Sequence, residues 1–161
     1  MPDLAWWLGN FQRTAFRLET LPHYTIPEEA DMLAAFLRGE PVRLPADHPW
    51  PELVRRHVRI GKVMQRVRVV SQPLATYERF ELSLYPHSVA AGEHIRILTG
   101  NPGVGDYWLF DDHMVIIIRY DAEGGFLGTE QANDMVAYRR IRDLALANSV
   151  PLADFSESVS R

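Results

Sequence analysis

The chain has 161 residues, 47% of them hydrophobic and 24% charged, values of an ordinary globular protein that argue against a disordered chain or a disulfide-stapled scaffold. It contains no cysteine, which excludes disulfides, thiolate nucleophiles and cysteine-ligated zinc together and fits a reducing compartment. The net charge of −4 hides an asymmetry: residues 55–68 hold six cations and no acid, leaving −10 on the rest, an address for a phosphate-bearing ligand, nucleic acid or acidic partner, or else a solvated helix face.

In chain order, Leu4 to Phe11 predicts a short helix with Trp6, Trp7 and Phe11 on its apolar side, and Thr14 to Thr20 alternates with the period of a strand. Thr25 is placed to cap a helix that starts at Pro27, carries Met32, Leu33, Phe36 and Leu37 as its core stripe and ends at Gly39. Four prolines from Pro41 to Pro51 make that segment a loop, which Trp50 pins. A helix follows from Glu52 to Ile60, stopped by Gly61, then a strand from Gln65 to Ser71 in which Val67 and Val69 oppose Arg66 and Arg68. Leu74 to Tyr85 reads either as a helix with Tyr77, Phe80, Glu81 and Leu84 on one side, or as a strand through FELSLY. Strands are expected at His94 to Leu98, Asp106 to Asp111, Met114 to Tyr120 and Phe126 to Glu130, with Asp111-Asp112 and Glu123-Gly124-Gly125 as turns. A last helix spans Asp134 to Asn148. The fold class is α/β, or α+β: a single mixed sheet with antiparallel hairpins in its C-terminal half, flanked by helices. One globular domain covers residues 1–155, and 156–161 form a frayed tail.

The longest apolar run, Met114 to Ile118, falls far short of the roughly 18 residues of a membrane span. The N-terminal MPDLAWWLGNFQRTAF has neither the basic start nor the uninterrupted apolar run of a signal peptide. A cytoplasmic location without membrane association is expected.

Catalytic and metal motifs are missing. The six histidines lack ligand spacing, no GxSxG elbow occurs, and the glycine loop Gly100 to Gly105 has no Lys-Ser/Thr and leads into a strand. No catalytic residue, metal or cofactor is therefore assigned. Asp111 and Asp112, adjacent on a hairpin tip, are expected to point apart into water with ordinary acidity. One constellation follows from strand parity. If Phe16/Leu18, Val67/Val69 and Ile95/Ile97 face the core, then Arg17, Arg66, Arg68 and Arg96 share the opposite side, with Arg119 joining them. Guanidiniums gathered on one sheet face can hold a carboxylate or phosphate, so these four arginines are the candidate anion- or partner-binding residues, with Glu19 and Glu81 orienting them. The competing reading is a plain solvent-facing sheet side.

The segments FQRTAFRLETLPHY, FLRGEP, RVRVVSQPL, YERFEL, AAGEHIRIL, DYWLFDDHMVIIIRYD and YRRIRDLALANSVPL resemble an actinobacterial family of uncharacterised single-domain proteins encoded beside helix-turn-helix regulators. The resemblance implies a regulatory or toxin-antitoxin-like role and a helix-turn-helix regulator as protein partner, and carries no established activity. The order of the strands RVRVV, IRIL and WLFDD is similar to one half of the phospholipase D superfamily. The H-x-K-x-x-x-x-D motif of that superfamily fails in both registers: Val104 and Asp106 stand at the His and Lys places counted from Asp111, Gly105 and Tyr107 counted from Asp112. The expectation is a non-enzymatic regulatory domain acting through a protein partner or a small anionic effector. Two alternatives stand beside it. One is a phosphodiester- or nucleotide-acting enzyme that uses Asp106, His94 or Glu81; the other is nucleic-acid binding through residues 55–68, although no helix-turn-helix supports direct reading of DNA.

Overall fold

The computed structural model describes residues 2–156; Met1 and residues 157–161, which include most of the tail expected to fray, lie outside the described residues. Helix α1 (Leu4–Asn10) leads into strand β1 (Thr14–Glu19), and helices α2 (Ala30–Leu37) and α3 (Pro49–Arg59) carry the chain to β2 (Val63–Val70). Helix α4 (Thr76–Ala91) then returns it to β3 (His94–Thr99). These three strands lie side by side and parallel, and such pairs require crossover connections of this kind. The antiparallel meander β4 (Tyr107–Phe110), β5 (Met114–Tyr120) and β6 (Phe126–Gln131) extends the sheet beyond β1. Helix α5 (Met135–Asn148) leads to the two-residue β7 (Val150–Pro151), which closes the opposite edge. The chain is thus a mixed α/β structure with one seven-stranded sheet in the order β6-β5-β4-β1-β2-β3-β7, flanked by five helices.

Both faces of the central strands are covered. On one side Leu18, Val67, Val69, Leu98, Tyr107 and Leu109 pack against Tyr138, Ile141 and Ala145 of α5. On the other, Val54 of α3 packs with Met64, Phe110 and Ile116, while Tyr85 of α4 packs with Ile95 and Ile97. The open sheet side weighed above is therefore replaced by a second buried layer, as expected for parallel strands with crossover helices.

Local chemistry sets the element ends. Asp3 accepts the Trp6 N–H (2.9 Å) and Asp134 the Ala137 N–H (3.1 Å), capping α1 and α5. Helix α3 begins at Pro49, inside the segment read as loop, because His48 Nδ1 accepts the Trp50 N–H and proline suits a first helical turn. Thr25 is not a cap; its hydroxyl donates to the Glu123 carbonyl (2.7 Å), tying it to the 121–125 turn, and a 3-10 turn (Pro27–Glu29) precedes α2. Residues 76–91 are helical, which resolves the ambiguity at FELSLY. Gly92 ends α4 at φ +115, where a Cβ would stand 2.9 Å from Val58 Cγ1.

The β4–β5 turn overturns the expectation for Asp111. Asp111 and Asp112 both have positive φ (53° and 62°) and the His113 N–H returns to the Phe110 carbonyl, the geometry of a type I′ turn. That turn rotates the Asp111 side chain inward, where it accepts N–H bonds from Gln12 (2.9 Å), Arg13 (2.6 Å) and Thr14 (3.0 Å). Burial pushes its pKa up, but the three N–H donors outweigh burial and hold it below the ordinary value of 3.8. The carboxylate thus anchors the entry of β1. Asp111→Ala should destabilise the fold by about 2–3 kcal/mol by leaving buried donors unpaired, with Asp111→Asn losing less; a urea-unfolding difference for the alanine variant near zero would refute the anchoring role.

Candidate functional site

Parallel registration pairs Arg17 with Arg66 and Glu19 with Arg68 across β1 and β2, so these four side chains emerge on one face, beneath α3 and α4. The same registration pairs Arg66 with Ile95 and Arg68 with Ile97, so Ile95 and Ile97 share the arginine face and Arg96 points to the other. There Arg96 donates to Ser149 Oγ (2.9 Å) and the Ser149 carbonyl (2.6 Å) after α5. Arg119 also lies away from the cluster, in an exposed pair with Glu130. Of the four arginines expected to converge, Arg17, Arg66 and Arg68 do so and Arg96 does not.

Guanidiniums on this face are occupied. Arg17 Nη2 donates to Asp106 Oδ2 and to Tyr120 Oη, each at 3.0 Å. Asp106 also accepts from Tyr24 Oη (2.5 Å) and from the Thr20 N–H (2.9 Å) and hydroxyl (2.6 Å). Arg66 donates to Glu19 (2.6 Å) and to Glu93 (2.7 Å), with its guanidinium 5.3 Å from the Trp50 ring centre and 5.7 Å from that of Tyr85. Arg68, 0% exposed, donates to Glu81 Oε1 (2.7 Å) and the Val69 carbonyl (2.9 Å). Arg17 Nη1 and Arg68 Nε find no hydrogen-bond partner, but neither residue lines a cleft among those described. Windows read from sequence split accordingly: Arg55, Arg56 and Arg59 lie exposed on α3, Arg55 paired with Glu52, whereas Arg66 and Arg68 belong to the buried network.

A cleft of about 250 Å³ opens onto this network. Glu19, Glu29 and Glu81 supply three carboxyl groups to its lining, Arg66 one guanidinium, His48 an imidazole and Ser88 a hydroxyl; Trp50, Tyr85, Met32 and aliphatic side chains complete it. The volume lies just under the roughly 300–1,000 Å³ of most small-molecule sites and suits a single side chain or small ligand.

The carboxyls differ in state, and Tyr85 shows why. Its hydroxyl lies 2.9 Å from Glu19 Oε1 and 3.0 Å from Glu81 Oε2, yet a phenol has one proton to donate. Both contacts are hydrogen bonds only if one carboxyl carries a proton. Burial, then the charge of Glu19, raises Glu81 to about 8 against the opposing pull of Arg68. Burial also pushes Glu19 up, but Arg66, Arg17 and Arg68 overcome it and hold Glu19 down to about 2. The proton therefore sits on Glu81, which donates to Tyr85, which donates to Glu19. Glu29, hydrogen-bonded by Tyr77 Oη (2.5 Å), is likewise raised, chiefly by burial.

Asp106 and His94, weighed as enzyme residues with Glu81, do not form a reactive set with it. Asp106 is saturated by donors on both oxygens, and His94 lines a different depression with Gln65 and Pro151. Glu93, Tyr85, Trp50, Glu29 and Tyr24 were not singled out from sequence as site residues. For Tyr85 a signal existed: the i, i+4 spacing from Glu81 places both on one side once residues 76–91 are helical.

Residues 2–157 match the family described as a domain of unknown function, DUF6879. The chain belongs to that family. No curated protein matches the chain, and no helix of this DUF6879 domain among the described residues is long and apolar enough to cross a membrane.

Two measurements check the charge assignments. Because Glu81 in the fold lies above its ordinary 4.5, the stability from its neutral form is full below that value and is lost as pH rises to about 8. Glu81→Gln keeps both hydrogen-bond roles without the titration, so the urea midpoint of the wild type should fall relative to this variant between pH 5 and pH 8; parallel curves would place the proton elsewhere. Arg66→Met should destabilise by about 3–5 kcal/mol because it strands Glu19 and Glu93, while Arg96→Gln should lose about 1 kcal/mol; equal losses in equilibrium unfolding would contradict the separation of the two faces.

Proposed function

We propose that this DUF6879 domain is a non-catalytic binding domain with a regulatory role, whose cleft receives a basic side chain presented by a protein partner. The observation that carries the proposal is the composition of the cleft: three carboxyls face one guanidinium, and that guanidinium is already held by Glu19 and Glu93. An arginine face without carboxylates would favour an anionic effector. Here every arginine of the cluster has an acidic partner, and the acceptor capacity left over belongs to carboxyls kept partly out of water. Those groups gain most from an incoming cation, since charge interactions strengthen as solvent is excluded.

Aromatic walls at Trp50 and Tyr85 fit the same ligand, because an alkyl stem and a guanidinium or ammonium head pack well against rings. A helix-turn-helix regulator as the partner rests on the resemblance described above and on no contact in the fold. Support for nucleic-acid binding is reduced to the exposed α3 arginines, since the buried Arg68 and the half-buried Arg66 are both held in ion pairs.

The test uses N-acetyl-arginine amide and N-acetyl-lysine amide as probes, followed by the NMR signal of the Trp50 indole N–H, which donates to Glu93 at 2.9 Å beside the cleft. Either probe should shift this signal saturably, Glu29→Gln should weaken binding several-fold, and inorganic phosphate or acetate at equal ionic strength should leave it unmoved. Saturable binding of the anions, or no response to either cation, would overturn the proposal.

A further inference from the structure

The buried network is one positive charge short whenever all its carboxyls are ionised. Arg17, Arg66 and Arg68 face Asp106, Glu19, Glu93 and Glu81, so neutrality requires one proton. The contacts of Tyr85 place that proton on the chain Glu81–Tyr85–Glu19. Glu81 and Glu19 both line the cleft, so the proton is held where a ligand would arrive.

We propose that a cation entering the cleft takes the place of the Glu81 proton, so that each binding event releases one proton and binding tightens as pH rises. This rests on the reading of the cleft as a site for basic groups and adds its regulation. In the exchange the Glu81 carboxyl gives up its proton to solvent and becomes a carboxylate; Tyr85 keeps its own hydrogen, and the guanidinium or ammonium of the ligand donates to the oxygen that had donated to Tyr85. No covalent bond changes beyond that one O–H.

Groups facing Glu81 come from every element around it. Strand β2 supplies Arg66 and Arg68, β1 supplies Glu19, α4 itself supplies Tyr77 and Tyr85, and the 3-10 turn brings Glu29 and the start of α3 brings His48 to the same cleft. The arginines remain charged and the tyrosines neutral across the neutral range. Glu19 is ionised throughout. Glu81 and Glu29 are thus the two cleft carboxyls raised above their ordinary value, and only Glu81 is bonded into the arginine cluster.

The experiment measures the dissociation constant of N-acetyl-arginine amide and N-acetyl-lysine amide from pH 5.5 to 7.5 through the Trp50 indole signal, for the wild type, Glu81→Gln and His48→Asn. Calorimetry in two buffers of different ionisation enthalpy counts protons on the unmodified protein. Wild-type affinity should rise up to about tenfold per pH unit below the Glu81 value, with about one proton released. His48→Asn, which preserves a helix-capping side chain, should retain that slope and Glu81→Gln should flatten it. Binding that is indifferent to pH and releases no proton overturns the exchange while leaving the cleft a cation site. A slope that survives Glu81→Gln, or vanishes in His48→Asn, assigns the proton to another group and also overturns it. Absence of binding at every pH defeats the underlying reading, and the exchange with it. A slope for one probe alone names guanidinium or ammonium as the ligand and supports the exchange.

Discussion

Charge neutralisation under a helical layer is the constraint on which this structure depends. A guanidinium removed from water without a partner is untenable, and three of them sit between the sheet and α3/α4. Arg17 and Arg66 are direct neighbours in the β1–β2 register and would repel one another alone. Their partners come from separate parts of the chain: Asp106 at the entry of β4, Glu93 at the entry of β3, Glu19 at the end of β1 and Glu81 in the middle of α4. A one-residue slip of β2 would send its arginines to the aliphatic α5 side, so the ion pairs define a single arrangement even where their net contribution to stability is small.

Chemical capacity follows from donor counting more than from residue type. Asp106 and Asp111 are acidic residues saturated by four and three hydrogen bonds respectively, so they hold loops and strand ends in place. Glu81 and Glu19 are bridged by one phenolic hydroxyl that accepts from the first and donates to the second, and that proton chain lies against the cleft. The reading of the domain as a binding module turns on this difference, and the alternation of charge and aliphatic residues along the strands does not contain it.

Much of the architecture was legible from local pattern. Period-two alternation located β1, β2, β3 and β5 to within a residue or two, and glycines at 39 and 61 marked helix ends because both adopt positive φ. Parity was less informative, because it assumes that one face is wet. With helices on both sides, Ile95 and Ile97 are as buried on the arginine face as Leu98 is on the other, so nothing in His94 to Thr99 alone tells which residues join Arg66. Only pairing with β2 decides it, and that placed Arg96 beside Ser149. The inward Asp111 was illegible for a related reason: its acceptors' partners lie 97–99 residues earlier in the chain, and a hairpin tip seen in isolation looks solvated. Glu93 was invisible as a site residue because its role comes from Trp50 and Arg66, each on a different element.

Gly92 gives the network a point of control that carries no charge. Lacking a side chain, it lets the end of α4 approach Val58 of α3 more closely than any Cβ permits, and the next residue is Glu93. The second carboxylate of Arg66 and the hydrogen-bond acceptor of the Trp50 indole are therefore positioned by a steric vacancy one residue away. The closest approach of α3 and α4 and the placement of the acid that steadies the cleft wall are thus fixed at adjacent residues of the chain.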